Sequence, residues 1–154
     1  MALVAACSDD SEAADVSVTT TATIVRSTAE DAPLEVGQCG DVPAIDVGGP
    51  LDPAAIVDVA CEQPHDVEVA AVFDHPAEAR ADFPGIDAVD GYATDQCLTR
   101  FEDYVGAPYE SSSLDVAFVA PGEDGWDAGD RRIACVLYHV DFVPLTGSVR
   151  GTGL

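Results

Sequence analysis

The sequence predicts an α+β domain, a small antiparallel β-sheet with one main helix packed on it and two disulfides. Two patterns carry this prediction. Short β-rich runs recur between Pro- and Gly-rich loops, and one segment has the apolar period of a helix. The chain has 154 residues, 47% of them hydrophobic, which is enough for one ordinary domain with its own core.

The strands are expected where β-branched and other apolar residues cluster. They are predicted at 36–39, 56–61, 67–73, 114–120 and 133–142, with a last short strand at 145–149. Residues 62–66 are predicted to form a hairpin connection between the second and third strands. In the third strand, the period-two rule places Val67, Val69, Ala71 and Phe73 on one face.

The helix is predicted over 94–105. Its apolar residues follow the i, i+1, i+4, i+7, i+8 pattern of a single stripe, which comprises Cys97, Leu98, Phe101, Tyr104 and Val105. Thr94 or Asp95 is expected to cap the start, and Gly106 is expected to end the helix. The segments 75–91 and 121–130 are predicted to be loops.

Four cysteines lie in the region expected to fold, namely Cys39, Cys61, Cys97 and Cys135. An even number in an exported domain indicates two disulfides, and four cysteines allow three pairings. We expect the sequential pairing, in which each bridge would stabilise by roughly 3–4 kcal/mol in the chain-entropy model. No pair has the C-x₂₋₄-C spacing of a zinc finger, so no metal ligand is predicted.

The charge balance excludes one class of partner. The chain has 29 acidic residues against six arginines and no lysine, a net charge of −23, which repels nucleic acid.

Acyl-transfer motifs such as G-x-S-x-G and S-x-x-K are absent from the sequence. We therefore expect a non-enzymatic protein that needs no cofactor.

The first seven residues resemble a bacterial lipobox. Leu3-Val-Ala-Ala-Cys7 places small residues before a cysteine that would receive lipid (palmitate), so segment 1–7 is interpreted as a truncated lipoprotein signal. A full signal has a basic start and an apolar stretch of roughly 7–15 residues. Only six residues precede Cys7, and none is basic. Either Met1 lies inside a longer signal or the match is accidental.

The next segment, 8–33, is an acidic run rich in Ser, Thr and Ala that lacks aromatic residues. Such a composition cannot bury enough surface to fold alone, so a disordered tether is predicted. The folded domain is expected over 34–154. With lipid on Cys7, the protein is expected outside the cell, on the outer face of the cytoplasmic membrane.

An ordered set of motifs runs through that domain. It includes Val36-Gly-Gln-Cys39, Cys61-Glu-Gln-Pro-His-Asp66, Cys97-x-x-x-Phe101, Trp126-x-x-Gly129-Asp-Arg131 and Leu145-Thr-Gly-Ser-Val-Arg-Gly151. Over residues 34–151 this set resembles the septum formation family of exported actinobacterial proteins. The resemblance implies a part in envelope growth or division, membrane anchoring and no established enzymatic activity. Gly40 departs from the aromatic residue expected after the first cysteine.

Three residues are candidates for interaction: His65, Trp126 and Arg131. An imidazole beside Asp66 can serve as a base or as a metal ligand. The competing interpretation is that His65 binds loop backbone and fixes the turn. A three-histidine site would need the fold to bring His65 together with His75 and His139.

The acidic 121–130 segment offers oxygen ligands that Ca²⁺ prefers, but not in EF-hand order. The competing interpretation is a solvated turn in which Trp126 packs on the domain and Asp130 pairs with Arg131 or Arg132. An exposed Trp126 would instead anchor an interface.

The first hypothesis for function is a non-catalytic, lipid-anchored interaction domain whose partner is an envelope or division protein. The alternative is an extracytoplasmic protein that binds a small ligand or a divalent cation.

Overall fold

A computed structural model describes residues 33–43 and 50–154, in which one antiparallel sheet carries a long helix on one face. The α+β prediction is confirmed. Segment 1–7, its Cys7 and residues 8–32 of the expected tether lie outside the described residues. No helix in the described part of the chain combines the length and apolar character needed to cross a bilayer.

The sheet has five strands in the order β2-β1-β3-β5-β4, and all neighbours are antiparallel. The strands are β1 Cys39–Asp41, β2 Val57–Val59, β3 Val67–Asp74, β4 Leu114–Val119 and β5 Arg132–His139. The helices are α1 Ile86–Val105 and the short α2 Glu123–Asp127.

The hairpin predicted at 62–66 is wrong, because β1 lies between β2 and β3. Cys39 pairs with Val59 on one side and with Glu68 on the other. The strand predicted at 36–39 begins only at Cys39. Before it, Gly37 has φ 89° and Gln38 N–H donates to the Glu35 carbonyl at 3.1 Å, which makes a turn.

The prediction that the apolar residues of β3 lie on one face of the sheet is correct only up to Val69. Val67 and Val69 belong to the core on one side of the sheet, whereas Ala71 and Phe73 pack against the core on the other side. A register shift between Val69 and Ala71 marks a β-bulge at Ala70. One extra residue in a strand reverses the alternation beyond it.

Helix α1 begins at Ile86, two turns before the predicted start. Gly85 precedes it without a side-chain cap, so Thr94 and Asp95 are internal. Val89 and Ala93 are buried and extend the apolar stripe backwards from Cys97 at four-residue steps. The predicted end is confirmed, since Gly106 adopts the left-handed conformation with φ 85°.

Both faces of the sheet are covered. Helix α1 packs its stripe, including Phe101 and Tyr104, against Leu137 and its neighbours on one face. The other face holds a second core that includes Val67 and Val136. The sequential disulfides are confirmed: Cys39–Cys61 joins β1 to the segment after β2, and Cys97–Cys135 ties α1 to β5.

Three further element predictions need correction. The 121–130 loop contains α2, in which Trp126 N–H donates to the Gly122 carbonyl at 2.9 Å. The run 145–149 is not a strand, since only Leu145 forms an isolated antiparallel bridge, with His65. Strand β5 also stops at His139, where Phe142 N–H donates back to the His139 carbonyl at 2.8 Å and closes a turn.

Gly40 stands where the resemblance led us to expect an aromatic residue, and the structure gives a reason for the glycine. A Cβ on Gly40 would lie 2.6 Å from Ile56 Cγ2 and 2.9 Å from the Val57 carbonyl oxygen. The second contact is with backbone, which cannot rotate away. An aromatic residue therefore has no room here in this arrangement of β1 and β2.

Candidate functional site

A charged side chain, Glu68, is fully buried in the middle of the domain. It lies on β3, directly opposite Cys39 of β1. Its Oε1 accepts hydrogen bonds from Tyr104 Oη and Ser148 Oγ, each at 2.6 Å, and its Oε2 accepts the Val149 N–H at 2.7 Å. These three donors tie β3 to helix α1 and to the C-terminal segment.

The tyrosine in this cluster remains a hydrogen-bond donor. Burial, together with the hydrogen bond to Glu68 and its charge, raises the pKa of Tyr104 above its usual range. The Arg150 guanidinium lies 5.4 Å from the centre of the Tyr104 ring and opposes that shift. The phenol therefore stays protonated and bonded to the carboxylate throughout the neutral range.

His65 lies beside this carboxylate and is 1% exposed. Its backbone N–H donates to the Leu145 carbonyl at 3.0 Å, and its carbonyl accepts the Leu145 N–H at 2.7 Å. Its Nδ1 is 2.8 Å from the Gln63 carbonyl oxygen. The interpretation that His65 fixes the turn through loop backbone is therefore correct. Its Nε2 is buried and has no hydrogen-bond partner.

The first disulfide borders the same cluster. One ligand atom each from Cys39, His65 and Glu68 lies within 4.8 Å of the other two, and all three residues are buried. Among the described residues this is the one such group of His, Cys, Asp or Glu side chains that converges. We call Cys39, Cys61, His65 and Glu68 the disulfide-end cluster.

Arg131 occupies the other end of the sheet and is 7% exposed. Its guanidinium donates to five backbone carbonyls, those of Trp126 at 2.8 Å, Asp130 at 2.6 Å, Glu78 at 3.0 Å, Ala79 at 3.1 Å and Ala81 at 3.4 Å. It also lies over the Trp126 ring, 3.7 Å from its centre. Asp130 was expected to pair with Arg131 or Arg132. Its backbone carbonyl accepts from the Arg131 guanidinium, and its carboxylate accepts the Arg132 backbone N–H at 2.9 Å.

Trp126 is 1% exposed, and its Nε1–H donates to the Ala81 carbonyl at 2.8 Å. His75 packs edge-on against both Trp126 and Tyr92, with ring centres 5.0 and 4.5 Å apart. Burial, and then the positive charge of Arg131, lowers the pKa of His75. We call His75, Trp126 and Arg131 the arginine-end cluster.

The surface near the disulfide end carries an apolar segment. Val140, Phe142 and Val143 are each about half exposed in the turn that follows β5. Phe142 has φ 55°, the one positive φ among the described residues other than glycine, and its ring stacks on Tyr138 at 5.5 Å. Leu154 is also exposed. Its carbonyl accepts from Ser112 Oγ, while Val140 N–H donates to the neighbouring Ser113 carbonyl at 2.9 Å. We call Val140, Phe142, Val143 and Leu154 the apolar end.

The structure thus places all three predicted interaction residues in the interior. His65, Trp126 and Arg131 hold loops together and offer no exposed face to a partner in this conformation. The three histidines do not converge among the described residues. Sequence reasoning missed Glu68, although one signal was present: it is the one charged residue in the apolar run 67–73.

Sheet, helix, disulfides and buried polar clusters together define a disulfide-stabilised α+β domain whose loops are fixed by interior hydrogen bonds. The sequence model of the septum formation family matches residues 6–152, nearly the whole chain, and the chain belongs to that family. No curated protein matches the chain, and no solved structure matches it.

Proposed function

We propose that this protein acts in septum formation as a non-catalytic interaction domain outside the cytoplasmic membrane, held there by lipid on Cys7. Family membership over residues 6–152 is the observation that carries the proposal, since it gives a role related to cell division. The compartment, the anchor and the mode of action are inferences that rest on further features.

The two disulfides support the compartment. Cysteine pairs at 39–61 and 97–135 have ordinary Cα separations of 5.3 and 5.4 Å, so the native fold accommodates both bridges. Disulfides of this structural kind form and persist outside the cytoplasm and are rare within it. An exported protein is therefore the simplest reading of the pairing.

The lipobox-like residues 3–7 support the lipid anchor. The acidic charge is consistent with attachment through lipid and not through the surface of the domain. A net charge of −23 keeps the domain off anionic lipid headgroups. The tether predicted over 8–33 would have an r.m.s. span of roughly 25–30 Å, which is enough to hold the domain clear of the bilayer.

The apolar end supports an interaction with another protein. Exposed apolar side chains grouped at one place are typical of binding surfaces. Phe142 is 54% exposed and is held in place by its stack on Tyr138. Because the exposed Asp141 lies between these residues in an acidic chain, the partner should offer an apolar pocket with a basic rim.

The anchor is tested by fractionating cells that make the protein from its full native gene. We expect wild-type protein in the membrane fraction with a lipid-modified mature N-terminus by mass spectrometry, and Cys7→Ala released from that fraction. An unmodified Met1, or a Cys7→Ala variant that stays membrane-bound, would contradict the proposal of a lipid anchor.

The interaction is tested with a photo-crosslinking amino acid at position 142 and, as a matched control, at position 86. Ile86 is also exposed, at 62%, but it begins helix α1 at the end opposite Tyr104. We expect a crosslink to a division or envelope protein from position 142 only, and its loss when Val140 and Val143 are both changed to Ser. Equal crosslinking from both positions, or none from 142, contradicts a role for the apolar end.

A further inference from the structure

The disulfide-end cluster holds more ligand chemistry than its structural role uses. Cys39, His65 and Glu68 converge within 4.8 Å and are all buried, and Cys61 is bonded to Cys39. Their sequence spacing matches no zinc motif. The strands bring them together, since Cys39 and Glu68 are cross-strand partners and His65 lies at the start of the same strand as Glu68.

The His65 imidazole carries a proton on Nδ1, as many metal-binding histidines do. A carbonyl oxygen can only accept, so the 2.8 Å contact with Gln63 places the proton on Nδ1. In the neutral imidazole with that proton, the lone pair is on Nε2, and this nitrogen is buried without a hydrogen-bond partner. Metal-binding histidines in proteins are commonly oriented by such a bond from the other ring nitrogen to a carbonyl.

The carboxylate also has an unused acceptor position. Each carboxylate oxygen offers two lone pairs. Oε1 of Glu68 receives two donors, from Tyr104 and Ser148, whereas Oε2 receives only the Val149 N–H. One lone pair on Oε2 remains available, and one carboxylate oxygen of Glu68 lies within 4.8 Å of a ring nitrogen of His65.

Two lone pairs close together in a buried space favour a positively charged occupant. With the disulfide intact, only one nitrogen and one oxygen are strong ligands, because a disulfide sulfur binds metals poorly. Reduction would add two thiolates, which are the ligands zinc prefers.

The disulfide can be opened from one side. Cys61 is partly exposed, whereas Cys39 is 1% exposed. A dithiol reductant attacks Cys61 Sγ and forms a mixed disulfide, and the Cys39 sulfur leaves as a thiolate. The second thiol of the reductant then displaces Cys61 as a thiolate, so the dithiol supplies two electrons and becomes a disulfide.

We propose that reduction of Cys39–Cys61 creates a zinc site formed by Cys39, Cys61, His65 and Glu68. Tetrahedral zinc with Zn–S bonds of about 2.3 Å needs its two sulfurs about 3.8 Å apart. Cleavage of the S–S bond allows that separation. Zinc binding displaces the protons of the two thiols. The site is independent of the proposed septum function.

The test uses Co²⁺ as a spectroscopic probe, in the full chain with Cys7→Ser in every arm to remove an unrelated thiol. Oxygen-free samples are compared before and after phosphine reduction. We expect the reduced protein to bind one Co²⁺ with the visible bands of tetrahedral coordination and a thiolate charge-transfer band, and the oxidised protein to show neither.

The ligands are tested by substitution. His65→Gln and Glu68→Gln should each weaken Co²⁺ binding by about tenfold or more, while the matched control His139→Gln should leave it within about twofold. Cys97→Ser/Cys135→Ser should retain the charge-transfer band, and Cys39→Ser/Cys61→Ser should abolish it. No band in the reduced wild type, or a band unaffected by His65→Gln, overturns the proposal.

A measurement on unsubstituted ligands guards against variants that fail to fold. Zinc should raise the thermal unfolding midpoint of the reduced protein and leave that of the oxidised protein unchanged, because a ligand stabilises only the state that binds it. Equal effects in both states, or none in the reduced state, count against the site.

Discussion

The two ends of the sheet both bury a charge, but they neutralise it differently. At the arginine end, the Arg131 guanidinium is surrounded by five backbone carbonyls and the Trp126 ring. At the disulfide end, the Glu68 carboxylate receives three donors but lies near His65, whose Nε2 is buried without a partner. Both clusters join segments far apart in sequence.

The difference lies in what each cluster leaves over. Arg131 leaves one buried N–H, at Nε, without a partner. Its other two guanidinium nitrogens donate to backbone carbonyls, so these acceptors already hold a cation that the chain itself supplies. The disulfide end leaves His65 Nε2 buried without a partner in a group that also contains the Glu68 carboxylate. A buried polar group without a partner is costly, so the second arrangement calls for an added cation.

The largest effect on stability should come from Glu68→Ala at the disulfide end. It leaves Tyr104, Ser148 and the Val149 N–H without their acceptor and opens a cavity, so the free energy of unfolding should fall by about 3–5 kcal/mol. Urea unfolding measures this, with the exposed Glu102→Ala on helix α1 as control. A loss below about 1 kcal/mol would show that the three hydrogen bonds do not hold the domain together.

At the arginine end, Arg131→Lys tests whether geometry or charge matters. Lysine keeps the charge but lacks the planar fork that reaches several carbonyls and stacks on Trp126. We expect a loss of about 2 kcal/mol in the free energy of unfolding. Arg80→Lys is the matched control, because Arg80 is exposed and should tolerate the change. Equal results for the two variants would mean that Arg131 contributes only its charge.

Two glycine substitutions compare a tightly packed position near the disulfide end with an open position on helix α1. Gly40→Ala should destabilise by about 1–3 kcal/mol, because its Cβ would overlap Ile56 and the Val57 carbonyl. Gly91→Ala lies inside α1 with nothing within 4 Å, and it should stabilise by about 0.5–1 kcal/mol. Thermal unfolding of both variants gives the signs, and a shared sign would contradict the strand arrangement.

The smallest effect should be a pH dependence at the arginine end. His75 has a lowered pKa in the folded protein, so the unfolded chain binds its proton first as the pH falls. Its contribution is complete above the unfolded pKa of about 6.5 and is lost below it. Urea unfolding at pH 7.5 and 5.5 should therefore show a smaller decrease for His75→Phe than for wild type. His139→Gln serves as the control, and a steeper decrease in His75→Phe would be inconsistent with this assignment.

Several features of the fold could be predicted from local patterns. The stripe that includes Phe101 and Tyr104 follows from the helical period, and the left-handed end at Gly106 follows from glycine's freedom at positive φ. The sequential disulfides were one of three open pairings, and the structure confirms them.

The missed features depend on contacts between distant segments. The position of β1 between β2 and β3 is a tertiary pairing that no local run encodes. The bulge at Ala70 lies within residues 69–73, which are all apolar, so nothing in the pattern marks the extra residue. The start of α1 lacks a capping side chain, because Gly85 precedes it.

Only part of the candidate site could be predicted from the sequence. His65 was a candidate because Asp66 follows it in the sequence. The Asp66 carboxylate accepts the Val42 N–H at 3.1 Å and makes no hydrogen bond with the His65 ring. The relevant carboxylate is Glu68, which the strand register places opposite Cys39. Convergence of this kind requires the sheet order, and the sequence alone predicted a different one.

The contrast between the two ends is tested most directly by zinc K-edge X-ray absorption of the reduced, zinc-loaded full chain with Cys7→Ser. The account predicts two sulfur ligands at about 2.3 Å and two nitrogen or oxygen ligands at about 2.0–2.2 Å, with one nitrogen ligand lost in His65→Gln. A shell with four sulfurs, or with none, would contradict a site at the disulfide end.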